Sequence, residues 1–343
     1  MPIPGKIVTM LMTETKESFG GVVAPGEVKE VRSAPAYVGA IPEQKMIGQT
    51  KQIIDWREIT FVTKGYPQNI IFVEGTADTG DMFQLDMLDL KEKMIVASRE
   101  ILKRYDTYKD FEEEYGMFCV SQYAGEPEKF FTHAPLIAAL VKSEKEPLDE
   151  KEIARTLEAS IKYGKNDLLM VDWDGAFIFD SSGAFEETIE LLEIGNYQLL
   201  RYRILDFELD RRLNKLSRLL HTHHKQRFSV FKGGEMKEVV RKMIYARSRS
   251  IIEFEAVDRN VKLIGDWYSA KVFDLVEKKF HLDEWRRNIK EKFETLEDIY
   301  NMASENFALS FNKRMEIVLI FGWLILLIGW FVLLVLDFTA YFK

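Results

Sequence analysis

The chain has 343 residues, of which 47% are hydrophobic and 30% charged, and its formal net charge is −8. That length is enough for one or two packed domains and a membrane segment. Its single cysteine, Cys119, excludes an internal disulfide bond and fits a reducing compartment.

The first part of the chain, residues 1–80, alternates short β-rich runs with glycine and proline. This pattern is typical of strands that are joined by tight turns. The four runs are "KIVTMLM", "GGVVAPGEV", "EITFVTKG" and "NIIFVEG". We therefore predict a β-rich amino-terminal part.

Residues 81–185 mix the helical and the strand period, and we assign them to the same domain. Apolar residues recur at helical spacing over 82–101, "YGMFCVSQY" reads as a strand, and "KFFTHAPLIAALV" reads as a helix. A further helix follows, which Asp149 can cap and Gly164 can end. "DLLMVDWDGAFIFD" predicts a strand pair, or one bent strand, that breaks at Asp174 and Gly175. The prediction is a mixed α/β or α+β domain with mixed strand pairing.

Residues 186–315 read as helix almost throughout. One face is apolar because leucines recur at steps of four, four, three and four residues. They are Leu205, Leu209, Leu213, Leu216 and Leu220. The glycine pair at 233–234 offers a reversal, so the segment is predicted to form a long helical hairpin, a coiled-coil-like stalk.

The stretch 317–336 contains no charged residue. At about 1.5 Å per residue, a helix of this length spans the roughly 30 Å hydrocarbon core of a bilayer. The amino end lacks the features of a secretory signal or an organelle presequence. We therefore expect a tail-anchored, single-pass membrane protein, and Lys313 and Arg314 before the helix favour a cytoplasmic domain.

Two glycines and two tryptophans repeat at an interval of seven residues in this stretch: Gly322 with Gly329, and Trp323 with Trp330. Glycine lets a neighbouring helix approach closely, so the pattern predicts a homo-oligomer that packs through this face. The alternative is a lone helix whose glycines face lipid.

Charge is distributed unevenly along the chain. Residues 1–200 hold 21 Lys and Arg against 35 Asp and Glu, whereas residues 201–250 hold 14 against 5. This basic block could contact anionic lipid, nucleic acid, or the acidic part of the same chain. The residues predicted to make such contacts are Arg211, Arg212, Lys215 and Arg218. A solvated helix face is the alternative.

Two groups of residues are candidates for metal binding. His221 and His224 lie one helical turn apart, but Lys225 and Arg227 follow and would repel a cation. Asp172 and Asp174 could hold Mg²⁺ or act as acid and base, although such carboxylates also form turns. No phosphate loop, dinucleotide fingerprint or nucleophile elbow accompanies them. We therefore expect no cofactor and no catalysis, with a metal-dependent enzyme as the alternative.

The order of parts resembles a known family. The segments "DLLMVDWDGAFIF", "LRYRILDFELDRRLNKLSRLL" and "LEDIYNMASENFALSFNKRMEIVLIFGWLIL" are similar to those of the required-for-meiotic-nuclear-division proteins. The resemblance covers roughly the carboxyl two thirds of the chain. It implies a membrane-anchored, oligomeric and non-enzymatic protein.

A second resemblance, to the CorA-like magnesium channels, is limited to the order of an α/β domain, a long helix and a membrane end. Those channels need two membrane helices joined by Gly-Met-Asn, and this sequence has one such helix and no such tripeptide. The expectation is a membrane scaffold or tether, with the enzyme second and the channel third.

Overall fold

The computed structural model describes residues 2–17, 44–66, 69–84, 86–225 and 267–341. These form two compact units. The first unit contains the described residues up to 208 together with 267–289, and the second contains 209–225 and 290–341. The predicted strand "GGVVAPGEV" and the predicted reversal at 233–234 lie outside the described residues.

The first unit is built on a mixed sheet whose eight described strands have the order β2-β3-β4-β1-β5-β8-β7-β6. The strands are β1 (Gly5–Thr15), β2 (Lys45–Ile54), β3 (Arg57–Tyr66), β4 (Ile70–Thr79), β5 (Thr107–Val120), β6 (Ser160–Ile161), β7 (Asp167–Val171) and β8 (Gly175–Asp180). Neighbours are antiparallel except for β5 and β8, which run parallel. The prediction of an α+β domain with mixed pairing is confirmed.

The central strand of the sheet is the first in the chain. β1 pairs with β4 on one side and with β5 on the other, and its residues from Ile7 to Met12 are almost completely buried. Alternate side chains therefore supply both faces of the sheet, which explains why "KIVTMLM" is an almost continuous apolar run.

The helices number six among the described residues, with a 3₁₀ helix at Pro127–His133. They are α1 (Met87–Leu102), α2 (Ala134–Lys142), α3 (Glu150–Glu158), α4 (Glu186–Lys225), α5 (Trp267–Lys279) and α6 (Leu282–Tyr341). Asp149 caps α3 by accepting a 3.0 Å hydrogen bond from the Lys151 amide, as expected. That helix ends at Glu158 rather than at Gly164, because β6 begins at Ser160 and pairs with β7.

One face of the sheet is covered by α1, α2 and α3. The core on that side consists of alternate strand residues such as Phe61, Phe118 and Phe177, together with the apolar side of α1. Its aromatic rings stack closely: the centroids of Phe177 and Phe179 are 4.8 Å apart, and those of Phe130 and Phe179 are 5.4 Å apart. This packing joins the 3₁₀ helix to β8.

The opposite face of the sheet is covered by α5 and by the first part of α4. Tyr197 of α4 packs on Tyr66 of β3, with ring centroids 5.3 Å apart, and Phe280 after α5 packs edge-on against Tyr115 of β5 at 5.5 Å. The sequence predicts that the stalk begins at residue 186. The structure instead places residues 186–208 within the sheet unit, because their apolar side chains are buried on the sheet.

The last helix, α6, runs without interruption from Leu282 to Tyr341. Within it, Met315–Val335 has a mean hydropathy of 2.9, and none of its residues is buried. This is the only candidate membrane span in the part of the chain that the structure describes. By length and composition it could cross a bilayer once.

Candidate functional site

The turn between β7 and β8 presents the two predicted carboxylates. Asp172 follows β7, Asp174 precedes β8, and Trp173 lies between them with its ring against Phe280 and His281, at 6.1 and 6.2 Å between centroids. The turn is fixed by backbone bonds, since the Asp172 amide donates to the Gly175 carbonyl at 2.9 Å. The sheet thus places both carboxylates beside three neighbouring helices.

Asp172 is surrounded by ammonium groups. Its Oδ2 lies 2.8 Å from Lys142 Nζ at the end of α2, and its Oδ1 lies 3.6 Å from Lys279 Nζ at the end of α5. Lys142 also contacts Glu152 of α3 at 2.8 Å. Burial alone would raise the pKa of Asp172, but the ion pair with Lys142, the Trp173 amide and the Lys279 charge lower it.

A third lysine, Lys91 of α1, is buried beside the turn. Only 3% of its surface is exposed, and its stem lies over Gly116 of β5. A Cβ placed on Gly116 would lie 2.7 Å from Lys91 Cε, so a larger residue here would require the lysine stem to shift. The sheet and the lysine stem are therefore fitted to one another.

Among the described residues, no carboxylate lies within ion-pair distance of the Lys91 ammonium group. It donates to Ser143 Oγ, at the C-cap of α2, and to the carbonyl oxygen of Asp174 at 3.1 Å. Burial lowers the pKa of Lys91, which the charges of Glu114 and Asp174 only partly offset. Burial also raises the pKa of Asp174, against the attraction of Lys91.

The lysines around Asp172 and Asp174 favour a structural role for these residues, in which they fix the β7–β8 turn, over a role in binding a metal ion. Both oxygens of Asp172 face lysines, and a cation at the turn would compete with Lys91, Lys142 and Lys279. Among the described residues, no group of three or more His, Cys, Asp or Glu side chains could bind a metal ion. A perturbed lysine near a carboxylate can also mark a reactive amine, but Lys91 is closed off from solvent.

The two aspartates should respond oppositely to loss of charge. Asp172→Asn removes a charge that the fold stabilises, so we expect it to lower the free energy of unfolding by about 1 kcal/mol at pH 7. Asp174→Asn removes a charge that burial disfavours, so it should leave stability unchanged or raise it slightly. Denaturant unfolding of both variants checks this contrast, and equal losses would show that the charges are not what matters at the turn.

A second buried polar cluster lies on the opposite face of the sheet, under α4. Glu193 is only 2% exposed, accepts a 3.2 Å hydrogen bond from Gln44 Nε2, and lies 3.6 Å from Lys64 Nζ. Lys64 is shared with Glu74, at 3.0 Å. Burial raises the pKa of Glu193 to about 6, because the distant and shared Lys64 compensates only in part.

The candidate span carries the four residues that were predicted to pack between membrane helices. Trp323 and Trp330 are 70% and 64% exposed. Apart from the adjacent residues and the nearby backbone of α6 itself, no described atom would lie within 4 Å of a Cβ added to Gly322 or Gly329. The face is therefore open in the described structure. Packing against a second helix stays a prediction.

The basic residues Arg211, Arg212, Lys215 and Arg218 lie on α4 in the second unit. In the same unit, Lys292 of α6 contacts Asp210 of α4 at 2.7 Å. Binding of lipid or nucleic acid by the basic block stays a prediction. The side chains of His221 and His224 lie outside the described part of the structure.

Sequence reasoning missed Lys91, Lys142 and Glu193. Lys91 had a signal, because it lies in phase with the buried apolar residues of α1, where a charged side chain is rare. Gly116, inside an apolar strand, was a second signal for a close approach. Glu193 likewise interrupts a buried apolar run of α4, but nothing in the sequence indicates that Gln44 and Lys64 are its partners.

Comparison with known proteins finds relatives whose names assign no activity. A family model described as "Uncharacterized protein MJ0711, N-terminal domain" matches residues 70–186, which run from the first residue of β4 to the first residue of α4. The chain is also similar to "Uncharacterized protein MJ0711" of Methanocaldococcus jannaschii, at 26% identity over 93% of this chain and 94% of that protein. No solved structure matches the chain.

Proposed function

We propose that this chain is a membrane-anchored scaffold or tether that acts as a homo-oligomer and has no catalytic activity. In this proposal α6 crosses the bilayer once, and the α+β domain is held in the cytoplasm. The resemblance of the carboxyl two thirds to the required-for-meiotic-nuclear-division proteins supports the same assignment.

The observation that carries the proposal is the apolar stretch of α6. All 21 residues of Met315–Val335 are free of contacts that bury them, although their mean hydropathy is 2.9. A helix of a water-soluble domain normally buries such a surface, and an exposed apolar area of this size would drive aggregation in water. A bilayer satisfies the helix, because its backbone is hydrogen-bonded internally.

Two further features support the orientation and the lack of catalysis. Lys313 and Arg314 precede the stretch, and positive charge is enriched on the cytoplasmic side of membrane helices. At the β7–β8 turn, the charge of Asp172 is engaged by Lys142 and Lys279. A role for Asp172 as a catalytic acid or base would require breaking these ion pairs.

Charges in the middle of the stretch provide the test. We expect Ile325→Arg combined with Leu326→Arg to release the full-length chain from membranes during an alkaline carbonate wash, since arginine is strongly disfavoured at the centre of a membrane helix. The matched control places two arginines on the domain, at the exposed positions Val96 and Tyr108. That control should remain in the pellet, and so should the unmodified chain.

Two results would contradict the anchor. The first is release of the unmodified chain by the wash, which would mean that α6 does not cross the bilayer. The second is equal retention of the Ile325→Arg, Leu326→Arg chain, which would place the attachment elsewhere in the protein.

A further inference from the structure

The strand β2 forms one edge of the sheet. Its inner side pairs with β3, and its outer side pairs with no strand among the described residues. Such an edge carries a row of backbone donors and acceptors that can pair with another strand. β2 is 10 residues long, so it is not one of the very short edge strands that are protected from pairing by their length.

Two large apolar side chains are exposed on β2. Met46 is 68% exposed and Ile53 is 76% exposed. The register shifts between Met46 and Gly48, and this irregularity brings both side chains to the same face: Met46 is opposite Lys64 of β3, and Ile53 is opposite Glu58. Positions 58 and 64 differ by an even number, so they share a face of the sheet.

We infer that two copies of this chain pair through β2, antiparallel, with the two-fold axis at Thr50. Because of the register shift, this arrangement places Ile53 of each copy opposite Met46 of the other. Both exposed apolar side chains are then covered by the same contact, which is self-complementary as a two-fold interface requires. The inference rests on the oligomeric part of the proposed function and names the surface that joins the copies.

The same register places no like charges directly opposite one another. Lys51 falls opposite Gln49 of the second copy, and Gly48 falls opposite Gln52. The charge of Lys51 is already engaged by Glu58 of β3, whose Oε1 lies 2.5 Å from Lys51 Nζ. Lysines on an edge strand commonly prevent such pairing, but here the central one has a partner within its own hairpin.

The backbone geometry of the hairpin also fits. β2 and β3 are joined by the two residues Asp55 and Trp56, both with positive φ (47° and 64°), as in a type I′ turn. The pair that flanks such a turn is hydrogen-bonded, so Thr50 directs its backbone groups toward β3, while Gln49 and Lys51 direct theirs outward. Gln49 and Lys51 would form the bonds between copies, and Thr50 would face Thr50 of the second copy as a non-hydrogen-bonded pair.

That pair makes a sharp experiment possible. In a non-hydrogen-bonded antiparallel pair the Cα atoms are about 4.5 Å apart, which a disulfide can bridge. We expect the Thr50→Cys chain, full length and in detergent, to form a disulfide-linked dimer under mild oxidation, seen on a non-reducing gel. The native Cys119 is completely buried and should not react.

The matched control is Gln52→Cys, on the same strand and facing the same side. In the proposed register its two copies lie about 14 Å apart along the strands, too far for a disulfide. A mixture of Gln52→Cys and Gly48→Cys chains should cross-link instead. Adding Ile53→Lys to the Thr50→Cys chain should reduce its dimer yield at least tenfold, because it places a charge at the apolar contact.

Three results would overturn the inference: no dimer from Thr50→Cys, equal yields from Thr50→Cys and Gln52→Cys, or a yield that Ile53→Lys leaves unchanged. Each of these is read in detergent and is independent of membrane retention. A chain that resists the carbonate wash but does not cross-link would keep the anchor and reject the β2 interface.

Discussion

Gly175→Ala should destabilise the α+β domain by about 3 kcal/mol, because the added methyl group has no free volume. A Cβ at this position would lie 2.8 Å from the carbonyl oxygen of Gly116 and 3.0 Å from that of Val141. Both neighbours are backbone atoms, one in β5 and one in α2, so neither can rotate away as a side chain could. Relief would require the parallel β5–β8 pair to separate or α2 to move.

Gly80→Ala is the matched control, since among the described residues an added Cβ at Gly80 would have no atom within 4 Å beyond its two chain neighbours. Urea unfolding of the full-length chain in detergent, followed by far-ultraviolet circular dichroism, measures both variants. We expect the midpoint for Gly175→Ala to fall and that for Gly80→Ala to remain near the unmodified value. Equal midpoints for Gly175→Ala and the unmodified chain would mean that the sheet and α2 are not packed this closely.

Glu193→Gln should stabilise the domain progressively as the pH rises. Burial raises the pKa of Glu193 from 4.5 to about 6, so the folded state disfavours the ionised form. The folded protein therefore gains stability as the pH falls through 6, and the gain is complete below about 4.5. At higher pH the buried charge costs about 2 kcal/mol, which the uncharged glutamine avoids.

The measurement is the difference in free energy of unfolding between Glu193→Gln and the unmodified chain at pH 4.5 and at pH 7.5. We expect this difference to change by about 2 kcal/mol in favour of the variant. The neighbouring groups Lys64, Glu74 and Glu190 are present in both proteins, so their own titration largely cancels. A difference that does not depend on pH would show that Glu193 is not titrating in this range.

The main elements of the domain were predictable from local patterns. β1, β3, β4 and the β7–β8 hairpin follow from apolar runs bounded by glycine or proline, and α1 follows from its apolar period. The edge strand β2 was missed, because "KMIGQTKQII" mixes lysine and glutamine with apolar residues and buries none of them fully. An edge strand that packs on one side only gives a weak periodic signal.

The site was predictable only in part. The sequence singled out Asp172 and Asp174 but not the lysines that engage them, since Lys91, Lys142 and Lys279 come from three helices that the fold brings together. Partners so distant in sequence are set by tertiary packing, which composition and spacing do not encode. The candidate membrane span was recognisable because its signal is contained in one continuous run of residues.

The position of β1 determines when the domain can be completed during synthesis. β1 is made first but lies between β4 and β5, so its pairing from Gly5 to Val120 must wait until 120 residues have been made. Long-range pairing of this kind is slow, and until it forms the exposed apolar strand is prone to aggregate and is a target for chaperones. The remaining cover of the sheet, α5, ends at Lys279, well before the apolar stretch begins at Met315. The ribosome therefore delivers a domain able to close before it delivers the apolar stretch that could span a membrane.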